Sequence, residues 1–140
     1  LQSMKILFEQ KEVHLVFDQR DPVYAWANEF KMEQVLTNYI SNALNHVEGE
    51  KIIKITIQKE PDHVRVGVFN TGKPIPEEDL GRIWDKFYKV DKARTREYGG
   101  SGVGLSIVKA IMESMHQRYG AINYDNGVEF WFELDDKNEV

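Results

Sequence analysis

The clearest pattern in the chain is the alternation of apolar and polar residues, which predicts β-strands. The predicted strands cover residues 13–17, 23–27, 52–59, 63–70, 119–124 and 128–134. Two pairs of them are separated only by turn residues, Pro61-Asp62 in the first pair and Asn126-Gly127 in the second. We therefore expect two antiparallel hairpins, one in the middle of the chain and one near its end.

Apolar residues at helical spacing predict two longer helices, at about 29–47 and 103–116, and a short acidic helix is predicted over 77–82. The first long helix is expected to bury one apolar face in the core. That face comprises Met32, Leu36, Ile40, Ala43, Leu44 and Val47. The apolar positions of the second are Val103, Ile107, Ile111 and Met115.

Composition limits the classes of function to consider. The chain has 140 residues, of which 41% are hydrophobic and 29% charged, and its net charge is −5. These values are typical of one soluble globular domain and argue against nucleic acid as a partner. The absence of cysteine excludes disulfides, zinc–thiolate sites and thiol catalysis, and it is typical of cytosolic proteins. We expect residues 1–12 to be a cloning remnant with a linker from a preceding domain, and residues 136–140 to be a tail.

The first long helix also carries a polar face of Gln34, Asn38, Asn42 and Asn45, which lie within ~80° of one another. Asparagine disfavours helices because its amide competes for backbone hydrogen bonds, so an ordinary solvated face would carry Glu, Lys or Gln. Amide oxygens are suitable ligands for Mg²⁺, which usually keeps phosphates and water in its coordination shell. The face is therefore either a magnesium site or a polar surface stripe.

Four glycines fall within residues 99–104, directly before the second long helix. Glycine lets the backbone approach another group closely, and a helix start offers unpaired N–H groups. This combination suits a phosphate chain. The alternative is a flexible loop that leads into a core helix, and the glycines alone do not decide between the two.

Two further segments lie where ligand-binding groups are common. Asn70-Thr71-Gly72 ends a predicted buried strand, although a simple connection to the next helix would look the same. Residues 86–98 contain five Lys or Arg residues in an otherwise acidic chain, and they overlap an aromatic cluster of Trp84, Phe87 and Tyr88. A charged run is usually a solvated face, but its position just before the glycines supports the hypothesis of a nucleotide lid.

In this order, the asparagine face, the Asn-Thr-Gly turn, the aromatic-basic segment and the glycine-rich helix start resemble the N, G1, F and G2 boxes of a known domain. This is the ATP-binding catalytic domain of bacterial sensor histidine kinases, in the wider family shared with DNA gyrase, Hsp90 and MutL. The resemblance covers about residues 13–134. It implies an α/β fold, namely a two-layer α+β sandwich with a mixed, mostly antiparallel sheet of about five strands and helices on one face. The catalytic domain would occupy residues 13–135.

The resemblance also implies which residues bind ATP. Asn42 matches the ligand of Mg²⁺, and Asn70 matches the position that accepts a hydrogen bond from the adenine amino group. The full set of implied ATP-binding positions is Asn38, Asn42, Asn45, His46, Asn70, Gly72, Ile75, Lys86, Phe87, Tyr88, Lys89, Gly100, Gly102, Val103, Gly104 and Leu105.

Several positions depart from the family pattern. Asn45 stands in place of a Lys or Arg, Asn70 in place of an Asp, Pro74 in place of the second G1 glycine, and 127–129 in place of a Gly-Thr pair. The Asn70 carbonyl can still accept the bond from adenine, but without charge and in only one amide orientation. The departures leave two interpretations, an active variant subfamily or a degenerate nucleotide-binding or docking module with weak or no ATP binding.

The function implied by the resemblance is to bind Mg-ATP and to donate its γ-phosphoryl group to a histidine on a separate dimerisation domain. ATP and Mg²⁺ are the implied cofactors, and a response regulator is the implied downstream partner. The domain would be cytoplasmic, and its parent would be a phosphoprotein anchored in the cell membrane. The four histidines lack the context of a phosphoacceptor, so the fragment is expected to bind Mg-ATP without phosphorylating itself. They are His14, His46, His63 and His116.

Three other classes of nucleotide-binding protein fit less well. An anti-sigma-factor serine kinase shares the fold but generally lacks the aromatic segment. A gyrase-like ATPase would use a catalytic Glu where this chain has Asn38, so activation of water is not expected. A nicotinamide-binding domain would carry Gly-x-Gly-x-x-Gly directly after a strand, whereas these glycines follow a basic loop.

Overall fold

The computed structural model describes residues 12–18, 29–86, 88 and 104–135, and these form five strands and two helices. The strands are β1 (His14–Asp18), β2 (Ile52–Lys59), β3 (His63–Thr71), β4 (Tyr119–Tyr124) and β5 (Gly127–Asp135). The helices are α1 (Glu29–His46) and α2 (Gly104–Ser114). Neither of these described helices combines the length and hydropathy needed to cross a bilayer.

The strands form one mixed sheet in the order β1-β2-β3-β5-β4. β1 runs parallel to β2, and the other neighbouring pairs are antiparallel. Both predicted hairpins are present, as β2–β3 and β4–β5. The expected fold, a mixed and mostly antiparallel sheet of five strands with helices, is confirmed. The strand predicted at 23–27 lies outside the described residues.

The segment after β3 is less regular than predicted. The acidic helix expected over 77–82 is a single 3-10 turn at Glu77–Asp79. The amide of Leu80 bonds to the Glu77 carbonyl, which is the tighter spacing of a 3-10 turn. Gly81 follows at once, and glycine is a poor continuation for a helix.

The core lies between α1, α2 and one face of the sheet. The alternate residues of β3 and β5 that face the helices are buried, and they are Val64, Val66, Val68, Val128, Phe130, Phe132 and Leu134. α2 contributes Val108 and Met112 to the same cluster. This arrangement leaves the opposite face of the sheet without a helix from the described part of the chain.

The buried face of α1 is wider than predicted. Ile40, Ala43, Leu44 and Val47 are buried as expected, but Met32 and Leu36 are only partly buried at the edge of the core. Val35 and Tyr39, which were not assigned to the core face, are fully buried. The reason is that α1 packs against α2 as well as β3, so a broader arc of the helix is covered.

Tyr39 joins α1 to the sheet. Its hydroxyl donates a hydrogen bond to the Trp131 carbonyl at 3.0 Å, and its ring lies 5.5 Å from that of Phe130, centroid to centroid. Trp84 packs edge-on against Phe130 and Tyr119. Part of the aromatic segment is therefore core, and it anchors the chain that follows the 3-10 turn.

Candidate functional site

Two asparagines flank a buried valine in one row across the sheet. Asn70 on β3 pairs with Val128 on β5, and Val128 pairs with Asn123 on β4. Residues directly opposite on neighbouring strands present their side chains to the same face, so all three face the helices. Asn70 is 1% exposed and Val128 is 3% exposed. The row therefore brings two amides to the end of an otherwise apolar core.

Asn70 has an unsatisfied acceptor. Its Nδ2 donates to the Thr71 carbonyl at 3.1 Å, while its Oδ1 is buried and has no hydrogen-bond partner among the described residues. The Thr71 carbonyl oxygen accepts hydrogen bonds and would repel Oδ1. The Asn70 amide is therefore oriented with Nδ2, not Oδ1, towards that carbonyl. A buried acceptor without a donor costs about 1–3 kcal/mol. Oδ1 is thus poised to accept a hydrogen bond from a ligand.

The turn after Asn70 is held against the end of α1. The Thr71 hydroxyl donates to the Glu48 carbonyl at 2.9 Å, and the Glu48 amide donates to the Thr71 carbonyl at 3.0 Å. Gly72 has φ +149°, and a β-carbon added there would lie 2.9 Å from the His46 carbonyl oxygen. Glycine is required at this close approach. Asn70, Gly72 and His46 therefore lie close together.

Ile75 is fastened to the edge strand by a side chain. Its amide donates to Asn123 Oδ1 at 2.9 Å, and its carbonyl accepts from Asn123 Nδ2 at 2.7 Å. Asn123 was not among the residues selected from the sequence. The available signal was an asparagine at an inward-facing position of an alternating strand.

The polar face of α1 meets the start of α2. A β-carbon added at Gly104 would lie 3.4 Å from Asn38 Oδ1, so the first residue of α2 lies close to Asn38. Asn42 and Asn45 lie further along α1 and are half-buried. Leu105 packs against the core and fixes the beginning of α2. The start of α2 thus lies beside Asn38 on the asparagine face.

The remaining implied positions are only partly described. Lys86 is exposed, and Tyr88 is half-buried and donates a hydrogen bond to Asp79. That bond is the main cause of the raised pKa of the Tyr88 hydroxyl. Phe87, Lys89, Gly100, Gly102 and Val103 lie outside the described residues. In the described ranges no three His, Asp or Glu side chains are grouped as metal ligands.

Comparison with known families decides the class of the domain. Residues 27–138 match the family model described as histidine kinase-, DNA gyrase B-, and HSP90-like ATPase. The chain belongs to this ATPase family. The N, G1, F and G2 segments all fall inside the matched range, and the resemblance found from the motifs is confirmed.

Individual relatives place this ATPase domain among the sensor kinases. The probable sensor kinase SilS of Salmonella typhimurium is 42% identical over 85 residues, which are 61% of this chain and 17% of SilS. The sensor histidine kinase WalK of Bacillus subtilis is 38% identical over 109 residues, which are 74% of this chain and 18% of WalK. The chain therefore spans less than a fifth of either relative.

A solved structure shows the same architecture. The nucleotide-free catalytic domain of the histidine kinase ThkA superposes with a TM-score of 0.81 at 30% identity, covering 96% of this chain and 89% of that one. The present chain is an ATP-binding catalytic domain of the sensor-kinase type. Within it the described site residues form two groups, one around Asn70 and one around Asn38. The two groups are linked by α1, along which His46 lies about 12 Å from Asn38.

Proposed function

We propose that this domain binds Mg-ATP and donates the γ-phosphoryl group to a histidine on a separate dimerisation domain of its parent sensor kinase. The observation that carries the proposal is Oδ1 of Asn70, which is buried at the end of the sheet and has no hydrogen-bond partner in the described part of the chain. The membership of the ATPase family and the similarity to sensor kinases support it.

The Asn70 group supplies the base end of the site. The amino group of adenine is a donor and matches the free Oδ1, whereas guanine has a carbonyl oxygen at the same place and would be repelled. The bond from Nδ2 to the Thr71 carbonyl prevents the amide from turning to accommodate guanine. Gly72, Ile75 and His46 would surround the base. Asn70 thus provides selectivity for adenine without burying a charge.

The Asn38 group supplies the phosphate end. Asn42 would hold Mg²⁺ through its amide oxygen, with Asn38 one turn earlier and Asn45 nearly one turn later. When bound, Mg²⁺ bridges phosphate oxygens and offsets their charge. The N–H groups at the start of α2 would bind the phosphate chain, as would those of Gly100 and Gly102. Lys86 and Lys89 would offset further charge, and Phe87 belongs to the same implied set.

The phosphoacceptor is expected on another part of the parent protein. His63, for example, lies between Asp62 and Glu133, at 2.6 Å and 3.3 Å, and is held in that cluster. The structure of ThkA in complex with the response regulator TrrA, at 30% identity and covering 97% of this chain and 39% of that chain, supports a response regulator as the downstream partner. We further propose that this domain is cytoplasmic and that the parent is a membrane-anchored phosphoprotein.

Calorimetric titration with Mg-ADP and Mg-ATP tests the binding step. We expect micromolar to sub-millimolar affinity, weakened at least tenfold in Asn70→Leu, in which the acceptor is replaced by a methyl group. Asn42→Ala should reduce the dependence of affinity on Mg²⁺. Gln117→Leu is the matched control, because within the described residues the Gln117 side chain bonds to the exposed Asp135. A folded domain that binds no nucleotide at millimolar concentration would favour the degenerate docking module.

Incubation with γ-labelled ATP tests the transfer step. The chain alone should acquire no acid-labile, base-stable phosphate, since its histidines do not resemble phosphoacceptors. Addition of the dimerisation domain of the parent should transfer label to that domain. A stable phosphohistidine on the chain alone would contradict the proposed division of labour between the two domains.

A further inference from the structure

We propose that Asn123 is a positioning residue for nucleotide binding, which acts by holding Ile75 as one wall of the adenine pocket. The inference rests on the proposed function and adds a residue to it. Asn123 belongs to none of the N, G1, F and G2 segments. It lies on β4, the edge strand of the sheet, in the row that contains Asn70 and Val128.

The contact between Asn123 and Ile75 is bidentate. Oδ1 accepts from the Ile75 amide at 2.9 Å, and Nδ2 donates to the Ile75 carbonyl at 2.7 Å. Both backbone groups of one residue are thus satisfied by a single side chain, in the way that a neighbouring strand would satisfy them. Because each end of the amide holds one backbone group of Ile75, the orientation of Asn123 and the position of Ile75 are fixed together.

The sequence around Ile75 explains why a side chain is needed to hold this residue in place. Pro74 and Pro76 flank it, and proline has no N–H to donate. Residues 73–76 have no regular secondary structure, so no strand or helix fixes them. The Ile75 amide is consequently the one backbone donor in the three residues 74–76. A side chain that binds it determines where the whole segment lies.

The row across the sheet shows where Ile75 is held relative to Asn70. Neighbouring strands are about 4.8 Å apart, so Asn70 and Asn123 are separated by about 10 Å, with Val128 between them. Oδ1 of Asn70 is free at one end of this row, and Ile75 is held at the other. A flat base that contacts Asn70 would lie over Val128 and against Ile75. Release of Ile75 would remove the wall without affecting the asparagine face of α1.

The test separates the base end from the phosphate end by using two ligands. Affinities of the domain for Mg-ADP and for Mg-tripolyphosphate, which has no base, are measured by calorimetry for wild type, Asn123→Leu and the matched control Gln117→Leu. We expect Asn123→Leu to lose about tenfold in affinity for ADP, corresponding to two hydrogen bonds, and to keep its affinity for tripolyphosphate. Gln117→Leu should bind both ligands as the wild type does.

Asn123→Asp provides a rescue experiment. A carboxylate accepts from the Ile75 amide but repels the Ile75 carbonyl, whereas the protonated acid can serve both groups as the amide does. Its affinity for ADP, expressed relative to wild type at the same pH, should be low at about pH 8 and recover as the pH falls towards the ordinary pKa of Asp, about 3.9. Asn123→Leu should show no such recovery, and circular dichroism confirms that each variant is folded.

The outcomes are distinct. Unchanged ADP affinity in folded Asn123→Leu would overturn the role of Asn123 while leaving the proposed function intact. Equal losses for ADP and tripolyphosphate would also overturn it, because the effect would then be general destabilisation. A wild-type domain that binds neither ligand would overturn the proposed function and this inference together.

Discussion

The two faces of the sheet use the same strands but different polar chemistry. On the face that α1 and α2 cover, the polar side chains of the central row are the uncharged amides of Asn70 and Asn123. On the opposite face, β3 and β5 carry charged residues, including Arg65, Glu129 and Glu133. These charges are partnered, since Arg65 lies 3.5 Å from Glu133 and its guanidinium lies 4.2 Å from the centre of the Trp131 ring.

This difference explains why an amide at position 70 is physically reasonable. At 1% exposure an unpaired carboxylate would carry a large desolvation cost, while an amide offers the same acceptor oxygen without a charge. At Glu129, on the uncovered face, an ionisable side chain is tolerated. Burial raises its pKa, but Arg65, the Tyr124 hydroxyl and Lys54 act in the opposite direction.

Gly127→Ala should cause the largest loss of stability, because it disrupts the close approach of β5 to the backbone of Asn70. A β-carbon at Gly127 would lie 2.0 Å from the Asn70 carbonyl oxygen, which belongs to the strand backbone and cannot turn aside. We expect a loss of about 3 kcal/mol or more in the free energy of unfolding. Urea denaturation measures it. Gly81→Ala is the control, since a β-carbon there meets no atom within 4 Å, and equal effects at the two positions would contradict the argument.

Asn70→Asp tests the claim that the covered face excludes charge. Without ligand, the variant should be about 1–3 kcal/mol less stable at neutral pH, because the carboxylate is desolvated and unpaired. Burial would raise the pKa in the folded state above the unfolded value of about 3.9. The penalty is therefore absent at low pH and grows as pH rises through the folded-state pKa. Unfolding of both proteins across a pH series measures the difference, and a pH-independent difference would refute the explanation.

Much of the fold could be predicted from local pattern, but its long-range pairings could not. Alternation located β2 to β5 because each strand buries one face. The parallel pairing of β1 with β2 joins segments separated by α1, and no local period encodes such a contact. The same limit applied to α1, where Tyr39 packs against the rings of Trp84 and Phe130, which lie far along the chain.

The residues of the site show the same limit: some could be predicted from local sequence and others could not. Asn70 could be selected because it ends a buried strand beside a glycine turn and occupies a motif position. Asn123 could not, because its importance comes from Ile75, 48 residues away. Periodicity indicates which way a side chain faces, while a hydrogen bond between distant segments depends on how strands and loops assemble.

Tyr39→Phe should have an intermediate effect, and it tests the hydrogen bond that joins α1 to the sheet. The variant keeps the ring contacts but removes the bond to the Trp131 carbonyl, and we expect a loss of about 1 kcal/mol in urea denaturation. Burial raises the pKa of the Tyr39 hydroxyl, so the bond should persist across neutral and mildly alkaline pH. Tyr119→Phe is the control, because its bond to Glu113 is exposed and should contribute less.

Glu129→Gln should have the smallest effect, and its sign distinguishes the uncovered face from the covered one. The folded-state pKa of Glu129 is raised, mainly by burial, so the folded protein holds this proton more tightly than the unfolded chain does. That contribution to stability is complete below the unfolded pKa of about 4.3 and is lost as pH rises through the folded value. Glutamine is neutral at every pH, so the variant should be more stable than wild type at pH 7, by no more than about 0.5 kcal/mol because solvent screens a half-exposed group. The gain should vanish in acid. A variant that is less stable at neutral pH would mean that the interactions of Glu129 with Arg65 and Tyr124 outweigh the cost of its burial. The carboxylates of the uncovered face would then stabilise the fold.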